Sequence, residues 1–478
     1  MNRVMLLYPP GKLLQRSEDR AQCNVSESAA NSVHACNDLG YCAAVLLEKG
    51  YEVFLRDYQT EGAPFDDVLS DINSFKPDMI ALSTTNTSVR DDIDFINKIN
   101  KSYKCVSVMK GAVFYDIDLK LLEQLDLSNV SCLIGCEMEF VIGTLADFYL
   151  KNEGKLDAVN GIIYKQDGKF NKGPFVCGLN DLNKLPFPAR QLMNNSLYVR
   201  PDTGEPMATI QTGLGCPSNC IYCLTPVISG KKVRKRDVES VYGEIEECFN
   251  KYGIRNFFFK ADTFTIDSDY ANAVCDRIIN SPIHGKIEFT VNSRVKPLEL
   301  SLLKKLKQAG CFTIAVGFES GSDETLKRIK KGATVEDNLK AAKMIKEAKI
   351  PLFGFFMLGF PWEDREMIKQ TKRLIHKINP DFIEVHVAMP YYGTGLYEEC
   401  EKLGVLCDSG FGHDYYSPNT VGTVALSSKQ VEKLKRKILL GFYLRPNYIA
   451  KKMLGAIKQP NIMRNYIRYG FNLLKKNL

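Results

Sequence analysis

The chain has 478 residues, a length that fits about three domains. Hydrophobic residues make up 45% and charged residues 25%, an ordinary balance for a globular protein with a full core. No apolar stretch is long enough to span a bilayer. The opening MNRVMLLYPPG, with one charge and a short apolar run, is not the pattern expected of a secretory signal. The 15 cysteines are scattered and odd in number. They predict a cytoplasmic protein with free or metal-bound thiols rather than a disulfide framework.

The first part of the chain alternates apolar runs with helical patterns. Arg3–Tyr8 is a short apolar run, residues 38–49 are helical in pattern, and residues 77–85 form a further β-rich run. This alternation predicts a parallel sheet covered by helices on both faces. We therefore expect a Rossmann-like, doubly wound α/β domain over residues 1–150.

Residues 151–200 are predicted to be a connector. GIIYKQDGKF has the pattern of a β-hairpin with Asp167-Gly168 at its turn. Pro186 and Pro188 follow in LNDLNKLPFPARQL and preclude a regular helix there.

Residues 201–400 alternate strand and helix more regularly. Val238–Tyr252 has one apolar face, and Thr334 with Asp337 forms a capping-box-like helix start. Six strand–helix units suit an open, partial parallel barrel, in which chemistry gathers at the carboxyl ends of the strands. The strand candidates are 208–211, 256–260, 287–292, 313–318, 352–358 and 382–387.

The last part, residues 401–478, is predicted to be helical and basic. Residues 429–478 contain 13 Lys or Arg and one acid, a net charge of +12, which leaves −5 for the rest of a chain whose total is +7. A solvated helical face is the ordinary explanation. Attraction to anionic lipid is an alternative, because Tyr, Phe, Leu and Ile alternate with the cations, and nucleic-acid binding is a third with no other support.

Cys216, Cys220 and Cys223 stand as Cys-x-x-x-Cys-x-x-Cys directly after the first barrel strand. Three such thiolates can hold three corners of a cubic iron–sulfur cluster and leave the fourth iron open for chemistry. The alternative is a structural zinc site, which needs a fourth ligand. The next cysteine, Cys248, lies on a predicted helix and the next histidine is His284, so the spacing favours the cluster.

With Tyr222 before the last cysteine, the pattern resembles the radical S-adenosylmethionine (SAM) enzymes, and specifically the subfamily with an N-terminal cobalamin-binding domain. PDMIALS, LPFPAR, GFESGSDETLKRIKKG, FGFFMLGFPWED and MPYYGTGLYEE carry the resemblance in order through Glu399. It implies a 4Fe-4S cluster, SAM, cobalamin and an external one-electron reductant such as flavodoxin or ferredoxin. In that family the reduced cluster cleaves SAM to a 5′-deoxyadenosyl radical, which removes a hydrogen atom from an unactivated carbon.

The resemblance also implies SAM-binding residues at the strand ends. Glu319 and Ser320 fall near the ribose and methionine, and the alternative for Glu319 is an internal ion pair. Asp262 stands at the position where related enzymes hold the SAM amino group. Capping of a helix is the alternative role for this residue. Arg294 can pair with the SAM carboxylate, or form a surface ion pair.

Glycines complete this set of candidates. Gly359, with Pro361, matches a motif near the adenine, and a tight strand-to-helix turn explains both residues equally well. Gly213 and Gly215 lack a Cβ, which lets the backbone pass close to the cluster.

The first domain departs from the subfamily pattern. The Asp-x-His-x-x-Gly signature is absent, so no histidine is evident as a lower cobalt ligand. Ser83 matches a family serine. The usual Gly-Gly near the corrinoid tail is residues 110–112 (Lys-Gly-Ala), with Gly111 retained, and the usual Gly-Glu-Gly-Glu is residues 136–139 (Cys-Glu-Met-Glu). Bulkier side chains at these positions would hinder the approach of a large planar ligand. The alternative to cobalamin binding is therefore a relic domain that only braces the barrel.

Three remaining candidates have weaker support. Cys23 and Cys36 are weak candidates for a second cluster, and Cys42 is interpreted as a core residue. His413 in GFGHDYY is more typical of a structural than a catalytic histidine.

Three functions are compatible with these features. The favoured one is cobalamin-dependent methylation of an unactivated carbon. The second is a cobalamin-independent radical SAM rearrangement, cyclisation or dehydration, which the substitutions at Lys110 and Met138 favour. The third is a non-enzymatic iron–sulfur or corrinoid-binding regulator, against which the full set of barrel motifs argues. The substrate is not readable from the sequence.

Overall fold

The computed structural model describes residues 2–17, 25, 33–406 and 422–477. Fifteen strands in these ranges form a seven-stranded sheet, a six-stranded sheet and one two-stranded pair. The strands are β1 (Arg3–Tyr8), β2 (Glu52–Asp57), β3 (Met79–Ser83), β4 (Val106–Lys110), β5 (Cys132–Ile134), β6 (Ile162–Gln166), β7 (Lys169–Lys172), β8 (Met207–Gln211), β9 (Gly213–Leu214), β10 (Arg234–Lys235), β11 (Asn256–Lys260), β12 (Glu288–Arg294), β13 (Cys311–Glu319), β14 (Leu352–Leu358) and β15 (Phe382–Val387).

The first sheet has the order β2-β1-β3-β4-β5-β6-β7, and its first five strands are parallel. Apolar cores on both faces explain why β1, β3 and β5 are almost fully buried runs. The order 2-1-3-4-5 is that of flavodoxin-like folds, in which ligands bind at the carboxyl ends of β1 and β3, where the strand order reverses. The sequence-based Rossmann-like assignment is confirmed.

The predicted hairpin is present as β6 and β7, with Asp167 and Gly168 at positive φ in its turn. It pairs antiparallel with β5 and so extends the first sheet beyond residue 150. The proline-containing segment that follows has only short 3₁₀ turns, at Leu182–Lys184 and Arg190–Leu192. The helices of this part of the chain are α1 (Asn37–Glu48), α2 (Tyr58–Glu61), α3 (Phe65–Phe75), α4 (Val89–Ser102), α5 (Leu119–Leu122) and α6 (Ile142–Lys151).

The second sheet has the order β15-β14-β13-β12-β11-β8, and all its pairings are parallel. Because the strands follow one another in chain order, their carboxyl ends lie along one edge, as in a barrel that remains open between β8 and β15. The predicted partial six-stranded (β/α) barrel is confirmed as the fold.

Helices connect the strands of the second sheet. Thr334 and Asp337 form a full capping box at the start of α12, as the sequence predicts. These helices are α7 (Thr225–Ile228), α8 (Val238–Tyr252), α9 (Ser268–Ile279), α10 (Leu300–Ala309), α11 (Asp323–Arg328), α12 (Val335–Glu347), α13 (Arg365–Ile378) and α14 (Gly395–Lys402).

The carboxyl-terminal part is helical, as expected. Its three helices are α15 (Ser428–Tyr443), α16 (Pro446–Ala456) and α17 (Pro460–Asn477). None of the helices in the described ranges combines the length and the apolar character that a membrane span requires.

A buried ionic triad joins the connector to the second sheet. Glu244 on α8 is fully buried and accepts a 2.7 Å hydrogen bond from Arg190 and another from Arg236. Arg236 also donates to the Tyr41 hydroxyl on α1, 3.2 Å away, and Arg190 donates to the Thr209 carbonyl. The triad therefore fixes the first domain, the connector and the barrel relative to one another.

We predict that Glu244→Ala lowers the free energy of unfolding by about 3–5 kcal/mol, because it leaves two buried guanidinium groups without their carboxylate. Urea unfolding followed by far-UV circular dichroism measures the change. Glu247→Ala is the matched control on the same helix, since Glu247 pairs with Lys251 at the surface and its loss costs less than about 1 kcal/mol. Equal destabilisation by the two substitutions would contradict the assigned role of the triad.

Candidate active site

The cysteine loop lies at the carboxyl end of β8. Cys216 and Cys220 are buried and Cys223 is partly exposed. Desolvation of the sulfur raises the pKa of Cys223 to about 11, although the residue as a whole is partly exposed, so a thiolate at this position requires a cation beside it.

The glycines before the loop are required by the protein backbone itself. Gly215 has φ +92°, and a Cβ on it would lie 2.1 Å from the carbonyl oxygen of Lys232. A Cβ on Gly213 would lie 3.0 Å from the carbonyl oxygen of Arg234. The close pairing of β9 with β10 accounts for Gly213 and the Lys232 carbonyl for Gly215, and the approach of this backbone to a cluster stays a prediction.

Asp262, at the end of β11, ties together the two ends of the cysteine loop. One carboxylate oxygen accepts a 2.6 Å hydrogen bond from the Gly215 backbone N–H, and the other accepts a 2.9 Å bond from the Thr225 hydroxyl. The nearby helix α9 is capped by Asp267 instead, so the helix-capping alternative for Asp262 is wrong. Asp262 is placed to hold the loop in shape.

Arg294, at the end of β12, contacts the loop directly. Its Nη1 lies 3.4 Å from the Cys220 sulfur, and its Nη2 donates to the Lys331 carbonyl. It is largely withdrawn from solvent, and a surface ion pair does not describe it. A guanidinium beside the sulfur places a positive charge next to one of the three cysteines that could bind the cluster.

Glu319 is held in a buried ion pair. Its carboxylate accepts a 2.6 Å hydrogen bond from Lys331, and both side chains are less than 10% exposed. Glu319 has φ +61°, an unusual conformation for a non-glycine residue that redirects the chain at the strand end. Burial, together with the adjacent Glu319, raises the pKa of Tyr222 in the cysteine loop. Glu319 therefore forms the internal ion pair that the alternative assignment expected, and its contact with SAM stays a prediction.

Ser320 and Gly359 have local structural partners. The Ser320 hydroxyl lies 3.2 Å from that of Thr371 and accepts a hydrogen bond from the Ser322 backbone N–H. Gly359 has φ +81°, as a tight strand-to-helix turn requires, and donates its N–H to Glu363 at 2.8 Å. Burial raises the pKa of Glu363 to about 7.

Lys331 and Glu363 were not predicted from the sequence to be site residues. Lys331 lies twelve residues after its partner, in a loop, and nothing in the local pattern marks it as buried. Glu363 follows a Pro-Trp pair and has the pattern of a surface acid before a helix, although it is fully buried.

The structure shows how the candidate metal ligands are arranged. In the described ranges, no three His, Cys, Asp or Glu side chains converge on a point that could hold one metal ion. A zinc ion requires its ligands to meet about 2.0–2.3 Å from a single centre. A cubic cluster instead spreads its cysteines over separate irons. Three cysteines on one loop match the three cysteine-bound irons of such a cluster.

The candidates of the first domain lie at the carboxyl ends of β3 and β4. Ser83 is buried and donates a 2.6 Å hydrogen bond to Asp38. A Cβ on Gly111 would lie 2.7 Å from the Thr84 side chain, so packing within the domain already requires this glycine. Cys136 and Met138, which replace the usual glycines, point into the core around α1 and α6.

Three further cysteines and the loop histidine were candidates in the sequence. Cys42 is buried in the core on α1, as the sequence predicts, and Cys36 accepts a 3.0 Å hydrogen bond from Tyr198. Cys23 and His413 lie outside the described residues.

The carboxyl ends of the two sheets meet around one apolar cluster. Ala112, which follows β4 in the first sheet, packs in a cluster with residues of α7 and of the segment after β15. An ion pair crosses the same boundary, with Glu137 of the first domain bound by Arg234 of β10. We call the apolar cluster, without the ion pair, the inter-sheet cluster. Its buried members are Ala112, Leu224, Ile228, Met389 and Tyr391.

We predict that Asp262→Ala lowers the iron and sulfide content after anaerobic reconstitution by at least about half, because the loop loses both of its end restraints. Iron and sulfide assays on desalted protein measure the effect. Asp269→Ala, an exposed acid on the adjacent helix, is the control and should load as the unaltered protein does. Full loading of the Asp262→Ala protein would rule out this anchoring role.

The chain is similar in sequence to a known protein family and to a curated methyltransferase. Residues 210–375 match the family model described as the radical SAM superfamily. An uncharacterized methyltransferase of Pyrococcus horikoshii is 30% identical over 416 residues, which are 86% of this chain and 88% of that protein.

Two solved structures share the fold at low sequence identity. The radical SAM methyltransferase TsrM from Kitasatospora setae, solved with cobalamin and a 4Fe-4S cluster, has a TM-score of 0.67 at 16% identity, covering 91% of this chain and 85% of that one. The cobalamin-dependent SAM radical enzyme OxsB has a TM-score of 0.71 at 16% identity, covering 98% and 72%. The Pyrococcus relative, which covers 86% of this chain, and the family match over the cysteine loop lead to one conclusion: this chain belongs to the radical SAM superfamily.

Proposed function

We propose that this protein is a cobalamin-dependent radical SAM methyltransferase acting on an unactivated carbon. One observation carries the proposal: the carboxyl end of the first sheet and the cysteine loop of the second sheet face each other across the inter-sheet cluster. Both folds place ligands at these strand ends. Two cofactors held there would lie side by side.

The residues of the first domain are compatible with a flat ligand at this boundary. The bulk at Cys136 and Met138, which argued against cobalamin in the sequence, is buried in the domain core and does not face the cysteine loop. The lining is apolar, as suits a corrin face, with Ala112, Tyr115 and Tyr391 among its members. Ser83 and Gly111 lie at the adjacent strand ends.

In the proposed enzyme, Cys216, Cys220 and Cys223 hold the 4Fe-4S cluster. Asp262 keeps the loop closed and Arg294 stabilises the thiolate of Cys220. Glu319 is proposed to bind the SAM amino group by exchanging Lys331 for that ammonium, while Ser320 and Gly359 shape the adjoining backbone. When bound, the cluster and cobalamin would supply SAM cleavage and methyl transfer, and an external one-electron reductant such as flavodoxin or ferredoxin would supply the electron.

A second function is favoured by the packing itself. The inter-sheet cluster is closed by side-chain contacts, and the Glu137–Arg234 ion pair fastens the two domains beside it. A corrin ring could enter only if these side chains moved apart. If they do not move, the first domain is a brace and the enzyme performs a cobalamin-independent radical SAM reaction.

We predict opposite losses of cofactor in two variants reconstituted anaerobically with iron, sulfide and hydroxocobalamin. Ala112→Trp should lose at least about 80% of the bound corrinoid and keep its iron, because the bulkier indole after β4 occupies the position that a corrin ring would need. The triple variant Cys216→Ala, Cys220→Ala, Cys223→Ala should lose its iron and its SAM cleavage and keep the corrinoid. Absorption spectra and iron assays after desalting separate the outcomes.

The unaltered protein decides between the two functions in the same experiment. Retained corrinoid, together with transfer of isotope from methyl-labelled SAM to cobalamin, supports the methyltransferase. SAM cleavage with no retained corrinoid would reject cobalamin dependence and leave the second function. SAM cleavage that persists in the triple cysteine variant would reject both.

We predict that Glu319→Gln keeps the cluster and weakens SAM binding by about tenfold, since the neutral amide loses a charge-assisted bond to the ammonium. The dissociation constant is measured by titrating SAM into the reconstituted protein and following the cluster's EPR signal. Glu324→Gln, on the exposed face of α11, is the control. An unchanged dissociation constant would leave Glu319 as the partner of Lys331 alone.

A further inference from the structure

The helices α16 and α17 cover the amino ends of the second sheet. The Tyr448 hydroxyl on α16 donates a 2.8 Å hydrogen bond to the Asp381 carbonyl, just before β15. On α17, Asn465 donates to the Asp202 carbonyl at 2.8 Å and Tyr469 donates to Pro201, both ahead of β8. The pair therefore reaches from one edge strand of the open barrel to the other, at the end opposite the cysteine loop.

Large apolar side chains on α16 and α17, and at the end of α16, are exposed. Leu454 is 69% exposed, Ile457 67% and Phe471 70%. Ile449 and Ile467 are each more than 40% exposed on the same two helices. We call these five residues the outer apolar face. Five large apolar side chains on one helical pair are more than the single exposed residues common on soluble proteins.

Cations are interspersed in sequence with the outer apolar face, and acids are absent from this part of the chain. Residues 444–478 contain eight Lys or Arg and no Asp or Glu. Lys451, Lys458, Arg464, Arg468 and Lys475 are exposed. Amphipathic helices with this combination of exposed apolar and basic residues lie in the plane of a membrane surface.

We propose that α16 and α17 bind the surface of an anionic lipid bilayer, with Leu454, Ile457 and Phe471 inserted among the headgroups and the cations against the lipid phosphates. The charge argues against a second copy of this chain as the occupant, because two such faces would repel each other. It would suit nucleic acid, yet four of the five apolar residues are aliphatic and offer no ring for stacking on a base.

The position of the two helices limits what the membrane contact can do. They lie at the amino ends of the barrel strands, whereas the cysteine loop and the other candidate residues lie at the carboxyl ends. A bilayer bound to α16 and α17 would hold the enzyme with its active site facing away. The proposal therefore concerns attachment rather than a lipid substrate, and it does not depend on the reaction catalysed.

The test is cosedimentation of the full-length protein with vesicles of phosphatidylglycerol and phosphatidylcholine, compared with vesicles of phosphatidylcholine alone. Binding should require the anionic lipid and weaken as salt is raised, because the charge attraction is screened. The variant Leu454→Glu, Ile457→Glu, Phe471→Glu should partition at least about tenfold less, since it loses apolar insertion and three units of charge complementarity.

The matched control makes the same change of charge at exposed apolar residues elsewhere: Val176→Glu, Leu179→Glu, Val424→Glu. These three residues are 49%, 65% and 61% exposed, respectively. It should bind vesicles within about twofold of the unaltered protein. Equal loss in both variants would show a net-charge effect and overturn the proposal. Absence of binding to anionic vesicles would also overturn it, as would self-association or nucleic-acid binding without vesicle binding.

Discussion

The candidate site depends on one constraint: the six strands of the second sheet, β8 and then β11 through β15, pair in parallel and in chain order. It brings residues that are far apart in sequence to one edge of the sheet, because parallel strands end on the same side. Asp262, Arg294 and Glu319 each follow or end a different strand, and each reaches the cysteine loop or the loop beside it. None of these contacts is local in sequence.

The polar residues of the site satisfy one another. Both oxygens of Asp262 accept hydrogen bonds, and Glu319 is paired with Lys331 in a buried position. An unpaired charge at such a depth would be costly, so the paired arrangement is the stable one before cofactors bind. In the proposed enzyme, the ammonium and the carboxylate of SAM would replace the Lys331–Glu319 contact by contacts of the same charge type.

The opposite ends of the second sheet have different chemistry. Its carboxyl ends face the first domain and are closed by apolar packing and one ion pair, whereas its amino ends are covered by the basic carboxyl-terminal helices. The buried triad around Glu244 sets the relative position of the first domain and the barrel. Reaction site and proposed attachment surface are thereby kept apart on one rigid frame.

By itself the sequence determined the element order, both parallel sheets and the cysteine loop. Strands such as Asn256–Lys260 and Leu352–Leu358 were predicted to the residue, because periodic burial and turn residues are local signals. Only the tertiary structure decided the partners of the polar residues. Lys331 binds Glu319, Asp262 binds the loop ends, and Cys136 turns into the core, since each outcome depends on which distant side chain packing brings within hydrogen-bond reach.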